Sequence, residues 1–313
     1  MARIKDFVNI LDHDSAFLSA LIDKAIADKK LFRAGQLPAS LSRKTLVMYF
    51  EKPSLRTRLS FETAMVHLGG QGIYVTSAEI GLGKREPVKD VARVVSGMCD
   101  GFVARTFSHE AVCEMAKYAS VPVINALTDY SHPCQAMADM MTAKEEFGKL
   151  EGLKMVYIGD GNNVARSLAS ACASLGLGFS IASPEGFKLE QEFFEFLFKR
   201  YPKAQVEQVT DPVIAVKGGD IVYTDTWVSM GQEEEREERI RQFSGYQINR
   251  ELMKHANPQA IFMHCLPAYR GLEVTDEIME SAHSRVFEEA ENRLHFQRTL
   301  LAVLMGSGGE IRL

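Results

Sequence analysis

The sequence lacks an excess of basic residues: 36 lysines and arginines stand against 41 acidic residues, and the formal net charge is −5. A nucleic-acid-binding domain normally carries a basic excess or stripe, so we expect no nucleic-acid partner. Long apolar runs are also lacking, since no stretch approaches the roughly 20 residues that a membrane-spanning helix needs. No uninterrupted apolar segment follows Met1–Asp6, so we also expect no signal peptide and no membrane partner.

The sequence contains few cysteines, and their spacing matches no pairing motif. The five cysteines are odd in number and include no C-x-x-C pair. This spacing argues against a disulfide framework or a zinc finger, and it favours a reducing compartment. We therefore expect a cytoplasmic protein. Because 46% of the 313 residues are hydrophobic, the chain can build two ordinary domains without a disulfide or a structural metal.

Short apolar runs alternate with helical periods along the whole chain. Strands are predicted at 45–50, 72–75, 101–105, 122–127, 154–159, 178–182, 205–209, 221–225 and 260–265. Helices are predicted near 88–98, 163–175, 188–200, 249–256 and 287–304. Alternation of this kind predicts an α/β fold with two domains, each a parallel β-sheet flanked by helices. The break is expected near Gly148–Gly152.

The segment Ser54–Arg58 lies at a predicted strand-to-helix turn. It follows the strand 45–50 and Pro53, and it opens a helical period of apolar residues formed by Phe61, Ala64, Met65 and Leu68. The first N–H groups of a helix and the positive end of its dipole attract an anion. The guanidinium groups of Arg56 and Arg58 add planar forks that match phosphate oxygens. The turn therefore predicts a phosphate site.

Polar residues also follow other predicted strands. Arg105 ends the strand 101–105, His132 and Gln135 follow the strand 122–127, and Asp225 ends the strand 221–225. Ligands of open α/β sheets bind beyond the carboxyl ends of the strands, so these residues are expected to share one cleft. A surface ion pair for Arg105 and simple helix capping by His132 remain as alternatives.

Three further patterns carry weaker signals. The run Gly159–Asn163 begins like a dinucleotide fingerprint, but Val164 stands where the third glycine belongs, so NAD is disfavoured and a small polar ligand, or a plain turn, is favoured. His264 and Cys265 are adjacent on a strand and face opposite sides, so they do not form a base–nucleophile pair. The acidic run 233–238 and the segment Glu291–Arg293, taken alone, predict solvated helix faces.

Seven segments, in this order, resemble the aspartate/ornithine carbamoyltransferase family, and within it the branch that uses ornithine. The segments are Phe50–Arg58, Ala104–Thr106, His132–Gln135, Gly159–Asn163, Asp225–Gly231, His264–Ala268 and Glu289–Arg293. The resemblance spans essentially the whole chain. It implies a carbamoyl-phosphate-binding domain at 1–147, completed by a C-terminal helix within 288–313 that packs back on it, and an ornithine-binding domain at 148–287. It also implies a homo-oligomer built from trimers, no organic cofactor and no catalytic metal.

The resemblance further implies roles for individual residues. Those for the phosphate are Ser54, the Leu55 backbone, Arg56 and Thr57. Those for the carbamoyl group are Arg105, His132 and Gln135, completed by Cys265, the Leu266 backbone and Arg293. Those for ornithine are Asp225 at the α-amino group, and Asn163 with the backbone of Ser229 and Met230 at the α-carboxylate. Catalytic roles are expected for Arg105, His132, Thr57, Cys265 and Asp225. The family's commonest motif has Thr where Leu55 stands, so a hydroxyl is lost there while the backbone N–H remains.

The activity that the resemblance implies is carbamoyl transfer from carbamoyl phosphate to the δ-amine of L-ornithine, as in arginine biosynthesis. A sister enzyme that uses another amine, such as acetylornithine or putrescine, is the nearest alternative, and a non-catalytic family member is a more distant one. Asp225 and Ser229–Gly231 favour ornithine. The loop Ser77–Glu86 of a neighbouring subunit is expected to complete the site.

Overall fold

The computed structural model describes residues 4–228 and 233–306. The chain divides into two compact units. The first contains the residues up to Met141 and those from Glu291 onward, and the second contains Thr142–Ala290. Each unit has a parallel sheet of its own.

The first unit is built around a four-stranded sheet. Its elements in chain order are α1 (Ser15–Arg33), β1 (Thr45–Phe50), α2 (Leu55–His67), β2 (Gln71–Thr76), α3 (Val88–Met98), β3 (Gly101–Arg105), α4 (His109–Tyr118), β4 (Val123–Leu127) and the start of α5 (Pro133–Phe147). The strand order is β2-β1-β3-β4, and all pairs are parallel. The four strands predicted for this half are confirmed to within one residue at each end.

Burial explains why β1 and β3 are continuous apolar runs. β3 is buried along its whole length, and β1 is buried at five of its six residues. Strands in the interior of a parallel sheet are covered by helices on both faces, so neither face selects polar residues. The helix α2 begins after Ser54 and buries Phe61, Ala64 and Met65, which are residues of the predicted apolar face.

The second unit is built around a five-stranded sheet. Its elements in chain order are β5 (Lys154–Ile158), α6 (Asn163–Leu175), β6 (Gly178–Ala182), α7 (Gln191–Arg200), β7 (Val206–Val209), α8 (Pro212–Val216), β8 (Ile221–Thr224), α9 (Arg236–Gln242), α10 (Arg250–Met253), β9 (Ile261–His264), α11 (Asp276–Met279) and the start of α12 (Val286–Met305). The strand order is β7-β6-β5-β8-β9, again all parallel. The five predicted strands are confirmed to within one residue, and α6 has its predicted bounds. The side chains of Glu234–Glu238 are exposed, as predicted.

The helix α12 returns to the first unit and packs against α1. The Lys29 Nζ atom donates to Asn292 Oδ1 over 2.7 Å, and the Thr299 hydroxyl donates to Asp28 Oδ2 over 2.8 Å. Asn292 and Arg293 are buried. The prediction of a solvated turn for Glu291–Arg293 is therefore wrong for Asn292, which contacts α1, and for Arg293, which contacts Thr57 on α2 and Gln135 on α5. Of the three, Glu291 alone is largely exposed.

Each sheet contains a point at which the strand order reverses. In the first sheet β1 lies between β2 and β3, and in the second β5 lies between β6 and β8. The connections on either side of such a point run in opposite directions and leave a crevice at the carboxyl ends of the strands, where ligands bind. In each unit the predicted site residues follow the strands at this point. Among the described helices, none combines the length and apolar character needed to cross a membrane.

Candidate active site

The turn between β1 and α2 is shaped as an anion site. Ser54 is the N-cap of α2, and its Oγ atom accepts the backbone N–H of Thr57 at 3.3 Å. The remaining N–H groups of the first turn have no intrahelical acceptor, and the helix dipole adds partial positive charge at this end. The side chain of Leu55 is 70% exposed. Leu55 can therefore contribute a backbone N–H to a bound phosphate without any help from its side chain.

The hydroxyl of Thr57 is the meeting point of two arginines. Nη2 of Arg293 lies 2.7 Å from Thr57 Oγ1, and Nη1 of Arg105 lies 3.5 Å from the same oxygen. All three side chains are buried. Two guanidinium groups that converge on one neutral oxygen produce a strongly positive spot. Such a spot favours an anionic ligand.

Gln135 is held in one orientation by its two neighbours. Its Oε1 atom accepts a hydrogen bond from Nη1 of Arg293, and its Nε2 atom donates to Asp139 Oδ1 over 2.7 Å. Sequence reasoning missed Asp139. The i,i+4 spacing of Gln135 and Asp139 on α5 was the available signal, because residues four apart are neighbours on a helix surface.

His132 is neutral in this setting. Burial, followed by the positive charges of Arg293 and Arg105, holds the pKa of His132 well below its usual value. A neutral imidazole can still donate one hydrogen bond to a carbonyl oxygen. The role that this arrangement allows is a hydrogen-bond donor whose charge stays constant near pH 7.

The residues around the phosphate turn divide into available and structural groups. Within the described part of the chain, the half-buried guanidinium of Arg56 has no hydrogen-bond or ion-pair partner. Glu51 accepts from the Thr106 hydroxyl and the Phe107 N–H, and Lys52 pairs with Asp129. Glu51 thus ties the segment after β3 to the turn after β1, and Lys52 ties the segment after β4 to the same turn, while Arg56 is left to bind a ligand.

In the second unit, the carboxylate of Asp225 is held by three donors. Oδ1 accepts the Thr226 N–H at 2.8 Å and the Cys265 thiol at 3.1 Å, and Oδ2 accepts Nδ2 of Asn162 at 2.9 Å. Asp225 is 8% exposed. The result is a fixed anionic group at the carboxyl end of β8, which suits an ammonium ligand.

The two adjacent asparagines after β5 have different positions. Asn162 is the N-cap of α6, and Asn163 is the first residue of that helix. The sequence pattern favoured hydrogen bonding of both asparagines to a small polar ligand, and the resemblance gave a role to Asn163 alone. In the structure Asn162 contacts Asp225. Identical neighbours carry no sequence signal that separates a cap from a ligand.

The His264 side chain binds the backbone of the loop that follows β9. Its Nδ1 atom accepts the Leu266 N–H at 2.9 Å, so Nε2 carries the proton and faces Glu273 Oε1 at 3.3 Å. Asp225, His264 and Cys265 place ligand-type atoms within 4.8 Å of one another. Because both ring nitrogens of His264 are already committed, we do not assign a metal to this group.

The structure thus forms two clusters, one in each unit. The first contains Ser54, Leu55, Arg56, Thr57, Arg105, His132 and Gln135, which follow β1, β3 and β4, together with Arg293 of α12. The second brings Asn163, Asp225, Cys265 and Leu266 to the ends of β5, β8 and β9. The carbamoyl role for Cys265 and Leu266 stays a prediction, since both belong to the second unit. Ser229 and Met230 lie outside the described residues.

Comparison with known proteins finds two family domains that follow one another along the chain. Residues 5–145 match the carbamoyl-P binding domain of aspartate/ornithine carbamoyltransferase, and residues 151–304 match its Asp/Orn binding domain. An ornithine carbamoyltransferase of Symbiobacterium thermophilum is 47% identical over 310 residues, which cover 96% of this chain and 98% of that protein. The Bacillus subtilis enzyme of the same name is 46% identical over 307 residues, covering 97% and 95%.

A solved structure supports the same family assignment. The ornithine carbamoyltransferase of Pyrococcus furiosus superposes with a TM-score of 0.94 at 45% identity and covers 97% of each chain. Both halves are therefore matched along almost their whole length, and the chain belongs to the aspartate/ornithine carbamoyltransferase family.

Proposed function

We propose that this protein transfers the carbamoyl group of carbamoyl phosphate to the δ-amine of L-ornithine, giving L-citrulline and phosphate. The observation that carries the proposal is the fixed carboxylate of Asp225, held by Asn162, Thr226 and Cys265. An amino-acid substrate brings an α-ammonium group, which this carboxylate matches. Putrescine has no α-carboxylate for Asn163, and acetylornithine has no charged α-amino group for Asp225.

The phosphate half of the proposal rests on the first unit. Ser54, the Leu55 N–H, Arg56 and Thr57 hold the phosphate, while Arg105, His132, Gln135 and Arg293 hold the carbamoyl group. The neutral δ-amine attacks the carbamoyl carbon, the bond from that carbon to the phosphate oxygen breaks, and the departing phosphate accepts the proton that the amine loses. Charge that builds on the carbonyl oxygen is stabilised by Arg105, His132 and Thr57. One such donor is worth about 3 kcal/mol.

Holding the two substrates in line supplies the larger share of the acceleration, about 7–11 kcal/mol. The Cys265 thiol donates a hydrogen bond to Asp225 and so helps to orient the carboxylate. It therefore lies next to the group that we propose binds the α-ammonium group of ornithine. No covalent intermediate is needed, because the amine is itself a sufficient nucleophile once it is deprotonated. No organic cofactor and no metal enter the proposed steps.

We extend the proposal to a homo-oligomer built from trimers. Supporting it, the apolar side chains of Leu55, Leu59 and Val66 on α2 and of Ile73 on β2 are each more than 40% exposed. Apolar side chains grouped on neighbouring elements favour a contact with a second copy. A cytoplasmic location is supported by the five free cysteines.

Citrulline formation by the purified protein, followed with both substrates varied, tests the proposal. We expect Arg56→Ala to abolish carbamoyl phosphate binding, measured by calorimetry, and Asp225→Asn to raise KM for ornithine at least about 100-fold. Arg200→Ala, an exposed arginine of α7, is the control. Failure of the wild-type protein to form citrulline would contradict the proposal, and near-normal affinity in Arg56→Ala would contradict the phosphate assignment.

A further inference from the structure

The side-chain amide of Asn162 has an orientation that its neighbours determine. Its Oδ1 atom accepts the backbone N–H of Val164 at 2.9 Å and that of Ala165 at 3.1 Å. The hydroxyl of Tyr157 lies 3.4 Å from the same oxygen. Exchange of the oxygen and nitrogen would place an NH₂ group against two N–H donors. Nδ2 must therefore point away from the helix.

The direction in which Nδ2 points is toward Asp225. It lies 2.9 Å from Asp225 Oδ2, and it is the donor on that side of the carboxylate, since Thr226 and Cys265 both donate to Oδ1. Rotation about the Cβ–Cγ bond moves both oxygens away from their donors. A donor on the second oxygen therefore adds to the cost of that rotation and makes the carboxylate orientation better defined.

The segment that carries Asp225 is fixed from the other side. Arg239 pairs with Asp160, and its Nε atom donates to the carbonyl of Trp227 over 2.6 Å. Arg239 is buried and lies over the ring of Phe187 at 4.8 Å. The backbone after β8 is therefore anchored, and the remaining freedom belongs to the carboxylate that Asn162 holds.

We infer that Asn162 is a positioning residue for the amine substrate: it aims the carboxylate of Asp225 at the α-ammonium group without touching the substrate itself. This inference rests on the proposed function. It assigns different work to the two adjacent asparagines, because Asn163 is expected to contact the α-carboxylate while Asn162 acts through Asp225.

Two substitutions separate the capping role of Asn162 from its contact with Asp225. Asn162→Ser keeps an N-cap acceptor, but its single, shorter hydroxyl lacks the second polar atom that reaches Asp225 in the wild type. Asn162→Asp keeps the acceptor but places a carboxylate against Asp225. Serine and aspartate are N-caps of about the same quality as asparagine. Helix capping alone therefore predicts that neither variant differs from the wild type.

Asn249 offers a matched control. It caps α10 through Oδ1, which accepts the Leu252 N–H at 3.0 Å, and it is half-buried like Asn162. The variants Asn249→Ser and Asn249→Asp make the same chemical changes at a cap that has no hydrogen bond to Asp225. We expect KM for both substrates to stay within about twofold of the wild-type values in these two variants.

For Asn162→Ser we expect KM for ornithine to rise about 10-fold, because a hydrogen bond to a charged group is lost. For Asn162→Asp we expect a rise of about 100-fold, because two carboxylates that share one site cannot both stay charged and in place. KM for carbamoyl phosphate should change less than about twofold in both, since neither Asn162 nor Asp225 is among its proposed ligands. The loss caused by Asn162→Ser should vanish in an Asp225→Asn background, where there is no carboxylate to aim.

Several results would overturn the inference. They are wild-type kinetics in both Asn162 variants, tighter ornithine binding in Asn162→Asp, or an undiminished loss in the Asp225→Asn background. A crystal structure of Asn162→Ser tests the same point without substrate. A rotated Asp225 carboxylate supports the inference, and an unmoved one contradicts it. A wild-type protein that forms no citrulline refutes the proposed function instead, and the crystal structure then still decides whether Asn162 holds Asp225.

Discussion

Nη2 of Arg293 and Oγ1 of Thr57 lie 2.7 Å apart, although 236 positions separate the two residues in the chain. The contact joins the last helix to the first turn of α2. It also places Arg293 between Thr57 and Gln135, to both of which its guanidinium donates. The proposed phosphate and carbamoyl ligands are thereby linked by one planar group.

The guanidinium of Arg293 donates to two residues at once, so we expect that a positive charge alone cannot replace it. Arg293→Lys keeps the positive charge but provides one donor position, which cannot reach Thr57 and Gln135 together. We expect KM for carbamoyl phosphate to rise about 10- to 100-fold in steady-state assays. Arg285→Lys, which changes an arginine paired with Glu146, is the control. Unchanged KM in Arg293→Lys would show that the fork is dispensable.

Asp139 orients the side-chain amide of Gln135, so we expect a substitution of Asp139 to weaken the use of carbamoyl phosphate through Gln135. Asp139→Asn removes a charged acceptor and lets the Gln135 amide turn over, so kcat/KM for carbamoyl phosphate should fall about 10-fold. Asp28→Asn, a change at a buried carboxylate that binds Thr299, is the matched control. Equal losses in the two variants would reduce the role of Asp139 to general stability.

The neutral state of His132 predicts the shape of the pH–rate profile. Because burial and two arginines keep the pKa of His132 well below 6.5, it does not titrate between pH 6.5 and 8.5. Ornithine's δ-amine resembles that of lysine, with a pKa of about 10.4, so kcat/KM for ornithine should rise about tenfold per pH unit from pH 6.5 to about 7.5. The rise should flatten at higher pH, where the α-ammonium group that Asp225 binds loses its proton. An inflection near pH 6.5 that disappears in His132→Gln would contradict this account.

His295 predicts a loss of stability in acid. Burial is the largest cause that lowers its pKa from 6.5 to about 4, and the neighbouring Glu291 opposes it. As the pH decreases, His295 therefore takes up a proton in the unfolded chain before it does so in the folded protein. The stability that depends on neutral His295 is fully present above about pH 6.5 and is lost as the pH falls to about 4. The loss is at most about 3 kcal/mol.

Urea unfolding of the wild type and of His295→Gln between pH 7 and pH 4.5 measures this contribution. As the pH decreases from 7 to 4.5, we expect the free energy of unfolding to fall less steeply in His295→Gln than in the wild type. His255→Gln, at an exposed position, should keep the wild-type slope. Parallel curves for the wild type and His295→Gln would contradict the assignment.

The sequence predicts the sheets well because their signal is local. Each apolar run such as Thr45–Phe50 or Gly101–Arg105 is buried on both faces, so hydrophobicity marks its ends directly. The helix α6 has its predicted bounds because Asn162 caps one end and Gly176, in the left-handed region, ends the other. The helix α1 was not predicted, although Asp14 caps it and Phe17, Leu18, Leu21 and Ile22 form its buried face.

The rest of the site depends on contacts that no local pattern contains. Burial of Arg293 goes with its contacts to Thr57 on α2 and Gln135 on α5, and a helical period does not identify the elements against which a helix packs. The interpretation of Asn292 and Arg293 as solvated was wrong for that reason, whereas Glu291 is exposed as predicted. The different positions of Asn162 and Asn163 arise from cap geometry, which two identical neighbours do not reveal.

The central claim is that L-ornithine is the amine that accepts the carbamoyl group. The most direct measurement offers the purified protein carbamoyl phosphate with L-ornithine, acetylornithine, putrescine or aspartate, and compares kcat/KM from the ureido product formed. L-ornithine should be preferred by at least about 100-fold. Acetylornithine lacks the charged α-amino group for Asp225, putrescine lacks the α-carboxylate for Asn163, and aspartate has no δ-amine to attack the carbamoyl carbon while Asp225 holds its α-ammonium group. Preference for any other amine, or no ureido product from any of them, would contradict it.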